Sequence, residues 1–204
     1  MKTALIIGGS GGIGEQIVRL FIEKGRRVIF SYCSSEENAK KIADETGALP
    51  VFLDMERADS RENFVHTALR QFAHIDTLVF AQGIAKREAL CDNDFESTQK
   101  LFSINLLGPI EMLRLLIENL RRSEASVIFI SSILGLKAGG LEGVYSASKA
   151  GLISIMQALN AEESALRANA VCPGAVDTKM LSQVPKEELD MFEKGQILSP
   201  EDIA

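Results

Sequence analysis

The chain is poor in residues that hold metals or disulfides, and it has no long apolar run. Its 204 residues include three cysteines, Cys33, Cys91 and Cys172, and two isolated histidines, with no Cys-x-x-Cys pair among them. This scarcity argues against a zinc site and a disulfide framework, and it predicts free thiols in a reducing cytosol. The apolar run at residues 4–7 is too short for a signal peptide or a membrane span. We therefore expect a soluble, cytoplasmic protein without a metal site.

The chain also has no excess of positive charge. Its formal net charge is −6 and 25% of its residues are charged, which excludes the basic footprint of a nucleic-acid-binding protein and a polybasic membrane patch. With 46% hydrophobic residues, the chain can bury one good-sized core. We expect residues 1–204 to form one domain.

Apolar, strand-like runs alternate with helical patterns along the whole chain. Alternation with short connections predicts an α/β fold, a doubly wound parallel sheet of the Rossmann type with three α/β/α layers. In such sheets ligands bind at the carboxyl ends of the strands. The predicted strands cover residues 4–7, 28–30, 50–53, 77–80, 127–130 and 168–171, and the predicted helices include 36–46, 60–72, 94–120 and 145–165.

A glycine-rich loop joins the first strand to the first helix. Residues 8–14 contain five glycines and fit the spacings Gly9-x-Gly11-x-x-Gly14 and Gly8-x-x-x-Gly12-x-Gly14. Glycine lets the backbone turn tightly and approach a pyrophosphate, to which the new helix offers free N–H groups and the positive end of its dipole. A simple tight turn would not need five glycines. The loop therefore predicts a dinucleotide site.

Tyr145 and Lys149 are four residues apart, and Ser132 ends an apolar strand shortly before them. On a helix, residues four apart share one face. An ammonium near a phenol favours the phenolate and lowers the pKa of the tyrosine toward the range of a general acid/base. A strand-end hydroxyl can bond the oxygen of a bound carbonyl. A Tyr-x-x-x-Lys pair by itself also occurs on solvated helix surfaces.

Together these residues resemble the short-chain dehydrogenase/reductase family, including its 3-oxoacyl-acyl-carrier-protein reductases. The resemblance spans the chain from Thr3 to Ala204. It rests on the order and spacing of the glycine motif, Asn105, Ser132, the Tyr-x-Ala-Ser-Lys segment 145–149 and the Pro-Gly loop 173–178. A threonine usually precedes the glycine motif, and here Ile7 holds that place.

The family resemblance implies an NAD(P)-dependent oxidoreductase that interconverts a carbonyl, such as that of a 3-oxoacyl thioester, and a secondary alcohol. Tyr145 would donate a proton to the carbonyl oxygen as hydride arrives from the nicotinamide, and Ser132 would hold that oxygen. Lys149 would bind the ribose hydroxyls and lower the pKa of Tyr145. Asn105 would hold a water that links Lys149 to solvent. A structural, helix-kinking asparagine is the alternative for Asn105.

The residues expected to bind the cofactor follow the strand ends. At the end of the second strand, Tyr32 replaces the acidic residue typical of NAD enzymes, which favours NADP, whereas Glu36 and Glu37 just beyond argue for NAD. The expected set is Gly8, Ser10, Gly11, Gly12, Ile13, Gly14, Tyr32, Ser34, Ser35, Asp54, Met55, Ala81, Gln82, Gly83, Tyr145, Lys149, Pro173, Gly174, Val176 and Thr178.

The chain departs from the family after the fourth strand. The family's Asn-Asn-Ala-Gly is Phe80-Ala81-Gln82-Gly83 here, so contacts that stabilise the central sheet and the adenine side must differ. Gln82 is expected to substitute in part. The residues expected to act in catalysis are unaffected, so we predict an enzyme. The alternative is a non-catalytic, nucleotide-sensing or scaffold member of the family.

Two further expectations concern assembly and the end of the chain. Residues 94–120 are apolar on more than one side, which predicts a second buried face and a homodimer or homotetramer. Ser199 and Pro200 open a helix just before the sequence stops, where the family continues into a helix and a seventh strand. We therefore expect a sheet without that last strand, and substrate-covering helices within residues 181–198.

Overall fold

The computed structural model describes residues 1–189 and 196–204, and its centre is a six-stranded sheet. All neighbouring strands are parallel, in the order β3-β2-β1-β4-β5-β6, which confirms the predicted doubly wound fold. The strands are β1 (Thr3–Ile7), β2 (Arg27–Tyr32), β3 (Leu49–Phe52), β4 (Thr77–Phe80), β5 (Ser126–Ile130) and β6 (Arg167–Val171).

Seven helices connect and cover the strands in the described part of the chain. They are α1 (Gly12–Glu23), α2 (Glu36–Thr46), α3 (Ala58–Gln71), α4 (Phe95–Phe102), α5 (Gly108–Arg122), α6 (Gly143–Glu162) and α7 (Lys186–Leu189). Within the described ranges, no helix has the length and apolar character needed to cross a membrane.

The sheet divides the core into two layers because side chains alternate between the faces of each strand. On one face, Ile6 and Phe30 pack against Val18 of α1 and Ile42 of α2. On the other, apolar side chains of α3, α5 and α6 cover the sheet. β1 lies in the middle of the sheet and all five of its residues are buried, as its uninterrupted apolar run predicts.

The helix predicted over residues 94–120 is interrupted. A π-helical turn, Ser103–Leu107, separates α4 from α5, and Pro109 in the first turn of α5 supplies no N–H for a regular ladder. Part of the predicted second apolar face is used inside the chain, because Leu106 packs directly on Gly151 of α6. Residues 95–122 are nevertheless helical without a gap, so the predicted helical stretch is confirmed, with a π turn inside it.

The segment 181–198 is described only in part. It contains a short 3-10 turn, Leu181–Gln183, and α7. Residues 190–195, the remainder of the expected substrate-covering helices, lie outside the described residues. A second 3-10 turn, Pro200–Asp202, follows Ser199, which caps it in a reciprocal capping box with Asp202.

Phe80 replaces the first asparagine of the family's strand-end motif and belongs to the core. Its side chain is buried and stacks on Phe129 of the neighbouring strand, with ring centroids 5.2 Å apart and planes 11° apart. The two residues face each other in the β4–β5 register. An apolar cross-strand pair thus stabilises the centre of the sheet.

Candidate active site

Ser132 and Tyr145 meet at the carboxyl edge of the sheet. Ser132 follows β5 and Tyr145 lies in the first turn of α6, and Ser132 is near enough to Tyr145 to lower its pKa. The Ser132 hydroxyl also accepts a hydrogen bond from the Leu134 N–H at 3.1 Å. The structure thus brings together the two groups that the sequence assigns to a carbonyl oxygen.

The ring of Tyr145 is 8% exposed and packs in an apolar cluster with Leu101 and Val144. Burial is the main cause that raises the pKa of Tyr145 to about 12, while the nearby Ser132 hydroxyl acts in the opposite direction. Burial has this effect because a phenolate is poorly solvated there. Tyr145 is consequently a protonated phenol at neutral pH.

Lys149 is 3% exposed, one helical turn after Tyr145. Its Nζ donates to the Ile130 carbonyl oxygen at 2.9 Å and lies 5.7 Å from the centroid of the Tyr145 ring. Burial lowers the pKa of Lys149 to about 8. The expected lowering of the Tyr145 pKa by Lys149 is not seen in this structure, where burial of the phenol and the charge of Glu142 raise that pKa.

Asn105 lies in the π turn and is fully buried. Its side-chain oxygen accepts from the Ile84 N–H at 2.9 Å, and its Nδ2 donates to the Ile84 carbonyl at 2.9 Å and to the Ser148 hydroxyl at 3.1 Å. The amide therefore ties the chain after β4 to α6. Both N–H groups of the side chain are thus engaged by protein atoms, and the water that Asn105 was expected to hold stays a prediction.

The glycine loop is packed too closely for side chains at several positions. Gly8 has φ +81°, and a Cβ there would lie 2.6 Å from the Gln82 backbone, while one on Gly14 would lie 2.1 Å from the Gly8 carbonyl oxygen. A Cβ on Gly12 would meet the Thr178 methyl group at 2.8 Å. Only hydrogen fits at these positions, so the loop stays close to the start of α1.

The start of α1 fits the pyrophosphate of a dinucleotide. Its N-cap is Gly11, and no described side chain caps the first turn, so that turn can offer backbone N–H groups to an anion. Ser10 precedes this turn and Ile13 lies in it. The Asn38 side chain fixes the loop from α2 by donating to the Ser10 carbonyl at 3.0 Å.

Two alanine substitutions separate folding from nucleotide binding in this loop. Gly14→Ala is expected to unfold or strongly destabilise the protein because its methyl group would overlap the Gly8 carbonyl oxygen. Gly11→Ala places its methyl group at an ordinary 3.5 Å from the same oxygen, and should keep the melting temperature but weaken nucleotide binding. Thermal unfolding and nucleotide titration test this, and equal melting temperatures for the two variants would contradict it.

The predicted adenosine-side residues gather at the ends of β2 and β3. Tyr32 packs edge-on against Phe52, with ring centroids 5.9 Å apart. Ser34 and Ser35 are exposed ahead of α2. Asp54 accepts the Glu56 N–H at 2.9 Å.

Met55, by contrast, is buried. A Cβ on Gly108 would lie 2.7 Å from the Met55 Cε, so Met55 serves the packing under the π turn. The expected contact of Met55 with the cofactor stays a prediction.

The remaining predicted cofactor residues follow β4 and β6. The Ala81 N–H donates to the Ile7 carbonyl at 2.8 Å, and Gly83 lies beside Lys149, whose Nζ would be 3.3 Å from a Cβ at that position. The Pro173 carbonyl accepts the Ile133 N–H at 2.8 Å. Beyond Gly174, Val176 is buried and Thr178 lies over Gly12, so this loop closes over the start of α1.

Several contributors to the site carry no sequence signal. The Ile130 carbonyl, which accepts from Lys149, is a backbone group. Ser148 and Ile84 accept the hydrogen bonds that position the Asn105 side chain. Asn38 binds the carbonyl of Ser10, which lies 28 residues earlier in the chain. Their roles depend on which elements become neighbours in three dimensions. The Gly108-Pro109 pair was the one available signal, because it marks a break in the helical pattern.

The fold and this edge of the sheet define a dinucleotide-binding oxidoreductase. A family model for short-chain dehydrogenases matches residues 2–189, and the chain belongs to that family. It is therefore an NAD(P)-dependent enzyme acting on CH–OH or C=O groups.

The chain is similar to known proteins over most of its length. It is 30% identical to the 3-oxoacyl-[acyl-carrier-protein] reductase FabG of Chlamydia trachomatis, covering 100% of this chain and 87% of that protein. It is 34% identical to the cyclic-di-GMP-binding biofilm dispersal mediator protein of Escherichia coli, covering 87% and 74%. An alcohol dehydrogenase structure from Thermococcus sibiricus, complexed with 5-hydroxy-NADP, matches with a TM-score of 0.86 at 26% identity, covering 100% and 87%.

Proposed function

We propose that the protein reduces a ketone to a secondary alcohol, with Tyr145 as the proton donor. The observation that carries this proposal is the buried pair of Tyr145 and Lys149, whose Nζ lies 5.7 Å from the centroid of the Tyr145 ring, with Ser132 near the tyrosine. This pair lies at the carboxyl edge of the sheet that also holds the glycine loop. Bound NAD(P)H would supply hydride to the carbonyl carbon.

In this proposal each side chain has a separate task. Ser132 donates a hydrogen bond to the carbonyl oxygen and so orients it, and Tyr145 transfers its phenolic proton to the same oxygen. The pKa of about 12 keeps Tyr145 protonated at neutral pH, which supports the direction of reduction. Lys149 binds the ribose hydroxyls. Its positive charge stabilises the phenolate that remains after proton transfer.

We further propose a substrate with an apolar chain, such as a 3-oxoacyl thioester. The wall beside Tyr145 is apolar and includes Leu134. Leucines continue it to the surface: Leu90, 69% exposed, packs on Gly143 at the start of α6, and Leu136 and Leu141 are 67% and 50% exposed. An apolar chain would cover these side chains. The Chlamydia trachomatis relative, by its name, reduces a 3-oxoacyl thioester.

Turnover of a substrate panel tests this proposal. NADPH oxidation should be fastest with 3-oxoacyl thioesters of medium chain length, slower with short ketones, and slowest with sugars. The Leu90→Ser/Leu141→Ser double variant should raise KM for the long thioester and leave KM for a short ketone unchanged. No turnover of any carbonyl compound despite tight NADPH binding would overturn the enzyme proposal.

A second candidate function is nucleotide sensing without turnover. The observation in its favour is the similarity to the Escherichia coli protein that is named as a mediator and cyclic-di-GMP binder. The retained Ser132, Tyr145 and Lys149 support the enzyme instead. Binding of a cyclic dinucleotide by titration calorimetry, together with no ketone turnover, would favour the sensor.

The end of β2 supports NADP over NAD. Tyr32 holds the place of an acidic residue, the exposed hydroxyls of Ser34 and Ser35 can bond a phosphate, and Glu36 is paired with Lys40 at 2.8 Å. The Thermococcus sibiricus neighbour was solved with an NADP derivative. We propose NADP as the preferred cofactor, with NAD as the alternative.

Comparing cofactor constants checks this preference. We expect a lower KM for NADPH than for NADH, and Ser34→Ala/Ser35→Ala should raise the NADPH value by roughly tenfold, since hydrogen bonds to a charged group are lost. The NADH value should change little because NADH has no 2′-phosphate. A lower KM for NADH in the unmodified protein would reverse the assignment.

We also propose that residues 1–204 act as one domain in a homodimer or homotetramer in the cytoplasm. Phe95 of α4 and Leu107 of the π turn are 81% and 51% exposed along one helical rod, which supports a contact between copies. Cys33, Cys91 and Cys172 are free, as suits a reducing compartment.

Light scattering tests the assembly. We expect a mass of two or four chains, and Phe95→Glu/Leu107→Glu should shift it toward one chain because the buried contact would gain charges. Leu49→Glu, at an exposed leucine of β3, is the matched control and should leave the mass unchanged. A mass equal to one chain for the unmodified protein would contradict the proposal.

A further inference from the structure

The π turn leaves one backbone carbonyl without its helical donor. The Gly108 N–H bonds to the Ser103 carbonyl, five residues earlier. The next carbonyl, that of Ile104, would need the N–H of residue 109 to continue this pattern, and Pro109 has none. A buried carbonyl without a donor costs free energy, so the turn needs a donor from elsewhere.

Gln82 supplies that donor. Its Nε2 lies 3.3 Å from the Ile104 oxygen, and its backbone packs against Gly8 of the nucleotide loop. A shorter side chain, such as the family's alanine at this position, has no group that could reach. Gln82, which departs from the family motif, therefore donates the hydrogen bond that Pro109 cannot donate to the Ile104 carbonyl.

The attachment made by Gln82 lies next to the one made by Asn105. Gln82 donates to the carbonyl of Ile104. The Asn105 side chain accepts a hydrogen bond from the Ile84 N–H and donates one to the Ile84 carbonyl. Gly83 is held between these two anchors. A Cβ on Gly83 would lie 3.3 Å from the Lys149 Nζ and 3.4 Å from the Asn105 side-chain oxygen, so Gly83 forms one wall of the lysine pocket.

We infer that Gln82 is a positioning residue for the reaction: by completing the π turn it holds Gly83 and Asn105 against Lys149. The inference rests on the proposed function only for its kinetic consequence.

Because donation to Ile104 fixes the orientation of the Gln82 amide, its oxygen is directed away from that carbonyl. This oxygen is buried and meets no hydrogen-bond donor among the described residues, and an ordered water is the partner that its chemistry suits.

Loss of this anchor should be visible in the titration of Lys149. The other groups facing Lys149 are the Tyr145 ring on α6, the Ile130 carbonyl on β5 and the Cys172 thiol after β6. If Gly83 withdraws, water gains access to the Lys149 ammonium. Hydration favours the charged form and raises its pKa above the value of about 8 that burial imposes.

The variants Gln82→Met and Gln82→Ala test the inference, and Gln71→Met at an exposed glutamine of α3 serves as the matched control. Methionine keeps the length of the side chain and removes both polar groups. We expect Gln82→Met to lower kcat by roughly tenfold, the loss of one hydrogen bond, with the alkaline limb of the kcat profile moved to higher pH. Gln71→Met should change neither.

A nuclear magnetic resonance titration of lysine labelled at Cε follows Lys149 directly, without turnover. A raised Lys149 pKa in Gln82→Met supports the inference even where no carbonyl substrate is turned over. The titration therefore distinguishes failure of this inference from failure of the proposed function. A lowered melting temperature with an unchanged Lys149 titration would show a merely structural role and overturn it. Unchanged kcat, pH profile and titration would overturn it as well.

Discussion

Replacing Tyr145 by phenylalanine should abolish turnover and leave nucleotide binding intact. The hydroxyl that donates the proton is lost, and general acid catalysis of this kind is worth about a hundredfold to ten-thousandfold in rate. The ring keeps its apolar contacts with Leu101 and Val144, so folding should be preserved. Steady-state kinetics with NADPH, together with NADPH titration by fluorescence, measure the two properties separately.

The neighbouring hydroxyl provides the comparison for this variant. Ser132→Ala removes a hydrogen bond to the carbonyl oxygen but leaves the acid in place, and should cost about a hundredfold in kcat. Combining it with Tyr145→Phe should cost little more than Tyr145→Phe alone, since the two hydroxyls act on one oxygen. Activity of Tyr145→Phe within about tenfold of the unmodified enzyme would remove Tyr145 from the acid role.

Replacing Lys149 by methionine should stabilise the protein while it inactivates it. The ammonium is buried, and its hydrogen-bond acceptor in the described structure is the Ile130 carbonyl, not a carboxylate. The drop in pKa from 10.5 to about 8 corresponds to about 3 kcal/mol of cost to folding at neutral pH. Loss of the hydrogen bond to Ile130 lowers the free energy of unfolding by about 1 kcal/mol. We therefore expect the free energy of unfolding to rise by about 2 kcal/mol overall.

The gain from Lys149→Met should depend on pH in a defined direction. The folded-state pKa of Lys149 is depressed, so the cost of burying the ammonium is present in full below about pH 8 and disappears as pH rises toward 10.5, the ordinary value. Urea unfolding at pH 7 and near the upper end of this window measures the difference. Lys24→Met, at an exposed lysine of α1's C-cap, is the control. A variant less stable than the unmodified protein at pH 7 would contradict the prediction.

The sheet was predictable because its information is local. Interior strands are apolar runs, such as residues 4–7 and 127–130, and these two lead directly into Gly8 and Ser131 at the edge where ligands bind. Spacing alone also predicted that Tyr145 and Lys149 share a helix face. Such signals depend on the spacing of residue types along the sequence. They hold however the helices and strands pack against one another.

The electrostatics and the anchors of the site were not predictable in the same way. Whether Lys149 lowers the pKa of Tyr145 depends on the burial of both groups, which is a property of the assembled core. The amide of Asn105 could have bound water or backbone, and it binds Ile84 because the π turn brings them together. Tertiary contacts decided these points, and sequence periodicity carries no record of them.

The pairing of β1 with β4 has a consequence for folding. These strands are neighbours in the sheet although residues 3–7 and 77–80 are far apart in the chain, and the two parts of the site come from opposite sides of this junction. The nucleotide loop follows β1, whereas Ser132, Tyr145 and Lys149 follow β5, which pairs with β4 on its other side. Pairing across so long a loop is slow because chain entropy is lost before contacts form. A dinucleotide that binds the folded chain should stabilise it by mass action.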